Sequence, residues 1–125
     1  MFGNKKLIIR PICANLKRDT ETFGKMDPYI IARVSEQIYK TKVAEDQGKH
    51  PVWLDVLEHI LKDEDTELEI KVMEHDTISK DDFLGSITIP LAQIKSVRDA
   101  HQTQICNIMY QGEVSGTVTL SLQVK

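Results

Sequence analysis

The segment Glu67–Glu74 reads ELEIKVME and alternates between apolar and charged side chains. Leu68, Ile70 and Val72 share one parity, and Glu or Lys occupies most of the positions between them. Successive side chains of a β-strand point to opposite faces, so this period of two is typical of a strand with one face in a core. The segment therefore predicts a half-buried strand.

The same period extends through much of the chain. It recurs in residues 117–124 and, more briefly, at Ile87 and Ile89. Short runs rich in Ile, Val, Tyr and Thr, each bounded by polar residues or by Gly and Pro, cover four further segments: residues 7–13, 29–34, 38–43 and 104–109. Seven short strands separated by turn signals indicate an antiparallel β-sandwich or barrel.

Two other segments carry a helical signal. Residues 53–62, WLDVLEHILK, place Leu54, Leu57 and Leu61 at helical spacing, so propensity favours a helix there, but we leave helix and strand open. Pro90 precedes LAQIKSV, and proline suits the first turn of a helix, so we expect one short helix at this point.

Composition limits the class of protein. The 125 residues, 41% of them hydrophobic, suit a single domain over residues 1–125. The net charge is −3 and the 16 Lys and Arg are dispersed, which argues against nucleic-acid binding. We expect a monomer in the cytoplasm. The first residues contain no apolar signal core, and the two cysteines lie far apart with no glycosylation sequon.

Carboxylates are concentrated in two irregular segments, residues 19–27 (DTETFGKMD) and residues 74–82 (EHDTISKDD). Calcium takes six to eight oxygen ligands and accepts carboxylates from flexible loops. Each acid taken alone is better explained by solvation, but if the two segments converge, either a cation or Lys and Arg partners must offset the repulsion between the carboxylates. The acids are Asp19, Glu21, Asp27, Glu74, Asp76, Asp81 and Asp82.

Three motifs, in order, resemble the C2 domain family. GKMDPYI (residues 24–30) is similar to the G-x-S-D-P-Y-V signature that closes the first calcium loop, and HPVWLD (residues 50–55) is similar to N-P-x-W-N-E. EHDTISKDDFLG (residues 74–85) resembles the third calcium loop with its D-D-F-I-G. The likeness covers nearly the whole chain and extends to small, single-domain plant-type C2 proteins.

The resemblance implies an all-β fold, an eight-stranded antiparallel β-sandwich. It favours the type II topology, in which the first strand runs straight into calcium loop one. It also favours a strand over a helix in residues 53–62.

The resemblance further implies a calcium (Ca2+) cofactor. Asp27 matches a loop-one ligand, Asp76 and Asp82 match loop-three ligands, and Ser79 matches an auxiliary serine. Glu74 stands where the family usually has an aspartate, and its extra methylene shifts the carboxylate by about an ångström against a calcium–oxygen bond of about 2.3–2.6 Å. Either Asp19 or Glu21 would complete loop one.

Membrane binding follows from the same resemblance, with lipid phosphate completing the coordination of calcium. Phe23 and Ile78 fall at the expected loop tips, where they would enter an anionic phospholipid membrane or else fold back on the sandwich. Three cationic residues would form a strand surface for phosphoinositide headgroups, or are merely solvated: Arg33, Lys40 and Lys42. The protein would then be peripheral on membranes when calcium is bound.

The sequence also bears on two other classes of function. No nucleophile motif, Gly-rich phosphate loop or metal-ligand spacing of His and Cys accompanies the acids, so we do not expect an enzyme. The alternative to calcium-dependent membrane binding is a calcium-independent C2 domain that acts as a protein-interaction adaptor, because Glu21 and Glu74 depart from the ligand pattern.

Overall fold

Eight β-strands and one short helix make up the regular structure of the described residues, 5–21, 23–97 and 99–125, in a computed structural model of the chain. They follow in this order: β1 (Lys6–Leu16), β2 (Pro28–Val34), β3 (Gln37–Lys40), β4 (Leu57–Ile60), β5 (Glu67–Glu74), β6 (Asp82–Pro90), α1 (Ala92–Lys95), β7 (His101–Tyr110) and β8 (Glu113–Val124).

All strand pairs are antiparallel, in the order β3-β2-β5-β6-β7-β8-β1-β4. Strands β6 and β7 share only the pair Ser86↔Met109, so the order divides into two layers, β3-β2-β5-β6 and β7-β8-β1-β4. Strand β1 lies between β8 and β4 and leads directly into the first acidic segment. The expected eight-stranded sandwich of type II topology is confirmed.

The core lies between the two layers. Leu68, Ile70 and Val72 of β5 are fully buried, as their alternation predicted. On β8 the inward positions are equally buried: Val118, Leu120, Leu122 and Val124.

Residues 53–62 form an extended segment, and a helix there is wrong. Leu54 is 93% exposed whereas Leu57 and Leu61 are buried, so the helical spacing of the three leucines does not describe one packed face. Strand β4 pairs with β1, and the N–H of Trp53 donates to the carbonyl of Ile12. The strand that the resemblance favoured is confirmed.

Two elements end at residues other than those predicted from the sequence. Strand β3 ends at Lys40, short of the predicted residue 43, although the N–H groups of Thr41 and Ala44 still donate to β2 carbonyls, and the N–H of Lys42 donates to the carboxylate of Asp55 (2.9 Å). The short helix expected after Pro90 occupies only Ala92–Lys95. Nowhere in the described part of the chain is a helix long and apolar enough to span a bilayer.

Candidate functional site

Three loops meet at one end of the sandwich. We call them loop one (residues 17–27), loop two (41–56) and loop three (75–81). The N–H of His75 in loop three donates to the carbonyl of Asp27 in loop one (3.0 Å), and the N–H of Gly48 in loop two donates to the carbonyl of Met26 (3.0 Å). The two acidic segments therefore converge, as the sequence required for a shared cation site.

Glu74 lies at the base of this convergence and is completely buried. Neither of its carboxyl oxygens has a hydrogen bond of acceptable geometry from a described residue, although the carboxyl of Glu21 and the backbone of Asp27 face it. Burial, together with the neighbouring Glu21 and Asp27 carboxylates, raises the pKa of Glu74 to about 8. The Glu74 carboxyl is thus held mainly protonated near neutral pH.

The structure distinguishes the two loop-one candidates by position. Glu21 faces Glu74, whereas Asp19 is exposed and its Oδ1 accepts the N–H of Glu21 (3.0 Å). Asp27 is half-buried, and its Oδ1 accepts the N–H of Asp46 (2.7 Å). Asp19 therefore shapes the turn that carries Glu21 toward the buried carboxyl.

Asp76 organises loop three through a turn of its own. Its Oδ1 accepts the N–H groups of Ile78 (2.9 Å) and Ser79 (3.3 Å), and its Oδ2 accepts the hydroxyl of Ser79 (2.9 Å). These hydrogen bonds lower the pKa of Asp76, that from Ile78 most. Asp82 is half-buried and lies opposite Glu74 in the β5–β6 ladder. Asp82 therefore lies beside Glu74 in the ladder, whereas Asp76 is held within the loop-three turn.

Asp81 belongs to a second polar network that the sequence did not assign. The hydroxyl of Tyr29 donates to its Oδ2, and the N–H of Asp76 donates to its Oδ1 (3.1 Å). Burial and the Asp81 carboxylate raise the pKa of Tyr29 to about 12, while the Tyr29 bond lowers the pKa of Asp81. Asp81 thus fixes loop three to β2.

Two further residues of this end were missed. Arg18 donates to the carbonyl of Phe83 (2.6 Å) and its guanidinium lies 3.6 Å from the ring centre of Tyr110, which anchors the start of loop one. Asp46 brings loop two to Asp27. Asp46 lies in the segment 45–49 (EDQGK). No local pattern links this segment to the other acids, because the link arises only when the fold returns loop two to the same end of the sandwich.

Apolar side chains project from two of the loops. Phe23 in loop one is 88% exposed and Ile78 in loop three is 95% exposed. Neither folds back on the sandwich, so the folded-back alternative is not the observed arrangement. Exposed large apolar side chains beside a polar site are typical of a docking surface.

The cationic residues lie outside loops one and three. Arg33 and Lys40 are on the outer side of the β2–β3 pair, opposite Ile38 and Ile31 respectively, and Lys42 follows β3. Arg33 forms an ion pair with Glu69 (3.4 Å), and Lys40 and Lys42 are exposed. The three residues therefore do not form part of the acidic site.

The carboxylate oxygens at this end are ligands of the type that a hard cation binds, but the side chains are not drawn together around a single point. Within the described residues, no three His, Cys, Asp or Glu side chains are grouped so as to hold a metal ion. The unpartnered oxygens of Glu74 are the feature that a cation would satisfy, and the surrounding ligands would be carboxylate oxygens, which calcium prefers. The oxygens of Asp76 and Asp81 are occupied by hydrogen bonds within the fold.

Comparison with known proteins gives one consistent family. The C2 domain model matches residues 5–106. Elicitor-responsive protein 1 of Oryza sativa subsp. japonica is 31% identical over 116 residues, which cover 82% of this chain and 73% of that protein.

Solved structures agree. A structure of the two C2 domains of Extended-Synaptotagmin 2 superposes with a TM-score of 0.81 at 31% identity, over 97% of this chain and 41% of that one. A C2 domain of plant Extended Synaptotagmin 1 shares the fold, with a TM-score of 0.84 at 20% identity over 98% of this chain and 95% of that one. The chain therefore belongs to the C2 domain family.

Proposed function

We propose that this C2 domain is a calcium-dependent module that binds anionic phospholipid membranes through loops one and three. Family membership supports a membrane-binding module. Dependence on calcium rests on one observation, the buried Glu74 carboxyl whose two oxygens have no hydrogen-bond partner among the described residues and which faces Glu21. A buried polar group without a partner is costly, and a bound cation would relieve that cost.

Five carboxylates would form the site: Glu21, Asp27, Glu74, Asp76 and Asp82. Calcium would supply positive charge and coordination positions for lipid phosphate. Asp76 is held by Ile78 and Ser79, and because each carboxylate oxygen has two lone pairs, its Oδ2 could bind the ion while it still accepts the Ser79 hydroxyl. Asp19 would keep its role in the loop-one turn.

The electrostatics favour a switch between two states. The loop end carries at least six carboxylates, which repel anionic headgroups when no cation is bound. Once the site is filled, two calcium ions offset four of these negative charges, so the headgroups are repelled less and the exposed Phe23 and Ile78 can enter the interface. Lys40 and Lys42, which are exposed, would add contacts with phosphoinositide headgroups, whereas Arg33 would first have to leave Glu69.

The proposal places the protein in the cytoplasm and on membranes only while calcium is bound, as a binding module and not as an enzyme. The best test is co-sedimentation with vesicles of phosphatidylserine and phosphatidylcholine, in calcium and in chelator. We expect sedimentation in calcium only, and its loss in Asp76→Asn/Asp82→Asn.

A matched control removes two charges from the opposite end of the sandwich. Glu36 and Glu64 are exposed there, and Glu36→Gln/Glu64→Gln should sediment as the unmodified protein does. Equal sedimentation in calcium and chelator would overturn the calcium requirement. If sedimentation is absent in both and loop amides do not shift on calcium titration by NMR, the calcium-independent adaptor becomes the better description.

A further inference from the structure

The outer face of the β7-β8-β1-β4 layer carries few charges. Arg10 on β1 is bonded to Gln123 (3.1 Å), and Lys6 forms an ion pair with Glu58 (3.7 Å) at the end of the face farthest from the loops. The outward positions of β7 and β8, all of them described, hold no Lys, Arg, Asp or Glu: His101, Thr103, Ile105, Asn107, Thr117, Thr119, Ser121 and Gln123. By contrast, the outer face of the other layer carries Arg33, Lys40, Glu69 and Lys71.

Exposed apolar side chains cross the middle of this face. Ile105 pairs with Thr119, Thr119 pairs with Cys13, and Cys13 pairs with Val52, so these four residues form one row across the layer. Ile105 is 73% exposed and Val52 is 53% exposed, and the neighbouring Leu54 is almost fully exposed. The row therefore has an apolar side chain at each end and small polar side chains in the middle.

This row is complementary to itself. A two-fold axis that is parallel to the strands and passes between β8 and β1 reverses the row left to right in a second copy. Ile105 then meets Val52 of the second copy, and Thr119 meets Cys13 of the second copy. No like charges are opposed in this row or in the rows on either side of it, whereas an anionic membrane or a charged peptide would find few counter-charges on this face.

We propose that two copies of the chain associate through this outer face, with the axis parallel to the strands. Four strands about 4.8 Å apart and about eight residues long give roughly 500 Å² of face per copy. That area is below the about 800 Å² per partner of a standard interface, so the pair is weak and the chain is a monomer in dilute solution. The loop ends of both copies point in the same direction, which, if the proposed function holds, lets both meet one membrane.

The test uses the protein in chelator without lipid, so that its outcome does not depend on calcium or membrane binding. Sedimentation velocity from micromolar to millimolar protein should show concentration-dependent dimers. Ile105→Glu should weaken association at least about tenfold, because the new carboxylate would lose its water against the apolar Val52 of the second copy. Ile105→Glu/Val52→Lys should restore association, because each new carboxylate then meets a new ammonium across the axis.

Matched controls make the result specific to this face. Ile38→Glu changes an exposed isoleucine on the other layer and should leave association unchanged. In the Cys13→Ser background, a bis-maleimide reagent that spans about 10 Å, the spacing of stacked sheets, should cross-link Ile105→Cys of one copy to Val52→Cys of the other. A monomer at millimolar concentration, or equal weakening by Ile38→Glu, would overturn the proposal, and absence of the cross-link would overturn the orientation of the axis.

Discussion

Glu74 links the stability of the domain to its binding site. A buried carboxyl without a hydrogen-bond partner destabilises the fold far more as an anion than as a neutral acid, so burial, together with the facing Glu21, raises the pKa of Glu74 to about 8. The sequence identified Glu74 as an altered ligand position. It could not predict the burial, which arises because Glu74 is paired with Pro28 on one side and Asp82 on the other.

Glu74→Gln should remove this linkage. The folded pKa of Glu74 lies above its ordinary value of 4.5, so its stabilising contribution is complete below about pH 4.5 and is lost as pH rises through about 8. Without calcium, the variant should therefore gain several degrees in melting temperature over the unmodified protein at pH 8.5 and little at pH 5.

The control for this measurement is Glu67→Gln, which changes an exposed glutamate on the same strand. Its melting temperature should follow that of the unmodified protein at both pH values. A Glu74→Gln variant that loses as much stability between pH 5 and pH 8.5 as the unmodified protein would show that Glu74 does not titrate in this range.

Individual elements show which features a sequence specifies. Strands such as β5 and β8 were predictable because a period of two is local and the buried set follows from it. Residues 53–62 were ambiguous because their leucines satisfy helical spacing by coincidence, and only pairing with β1 decides between the alternatives. Loop contacts such as Arg18 with Tyr110 join residues far apart in the chain and have no local signal.

The loop tips carry a prediction about membrane attachment. Full burial of an apolar side chain of this size contributes about 1.5–3 kcal/mol, and less in an interface, so Phe23→Ala/Ile78→Ala should weaken vesicle binding at least about tenfold. Calcium affinity without lipid should barely change. Co-sedimentation across a salt series measures this, because apolar insertion resists salt whereas exposed charge interactions are screened. An unchanged partition coefficient would exclude insertion by these two side chains.

The edges of the two layers are joined by a buried polar network. Asp65 accepts hydrogen bonds from His59 Nε2 (2.8 Å), the Ser35 hydroxyl (2.7 Å) and the N–H of Lys62 (2.8 Å). The Tyr39 hydroxyl meets the other ring nitrogen of His59 (2.8 Å), so β3 is tied to β4. Although burial acts to raise the pKa of Asp65, these hydrogen bonds outweigh it and lower the pKa.

Asp65→Ala should therefore destabilise the domain by about 3 kcal/mol at neutral pH, because it leaves several buried donors without an acceptor. The contribution is present above the ordinary pKa of 3.8 and is lost as pH falls through the lower folded value. Urea denaturation measures the difference. Glu64→Gln, at the exposed neighbour, should cost less than about 0.5 kcal/mol. A small loss for Asp65→Ala would mean that β3 and β4 are held by packing alone.

At the scale of the whole molecule, charge and hydrogen bonding are distributed unequally between the two ends. The end with the His59–Asp65 network is closed, with its buried carboxylate satisfied, whereas the loop end holds the unsatisfied Glu74 among other acids. Among the described residues, the buried carboxyl without a hydrogen-bond partner therefore lies at the end where the family resemblance predicts calcium. Two bound calcium ions would change the formal net charge from −3 to +1, with all of the change at the loop end.

Calcium should for this reason stabilise the folded state as a whole. An ion that binds only the native loops adds about 2.7 kcal/mol to the free energy of unfolding at a hundredfold excess over its dissociation constant. Magnesium should add much less, because it requires near-ideal octahedral geometry and releases its water reluctantly, which the spread carboxylates of loops one and three do not suit. Thermal denaturation in millimolar calcium, magnesium and chelator measures the effect, with Asp76→Asn/Asp82→Asn as the variant that should not respond. A melting temperature that calcium leaves unmoved in the unmodified protein would count against the calcium site and in favour of the adaptor, since no other described cluster offers a buried, unpaired carboxyl for an ion to satisfy.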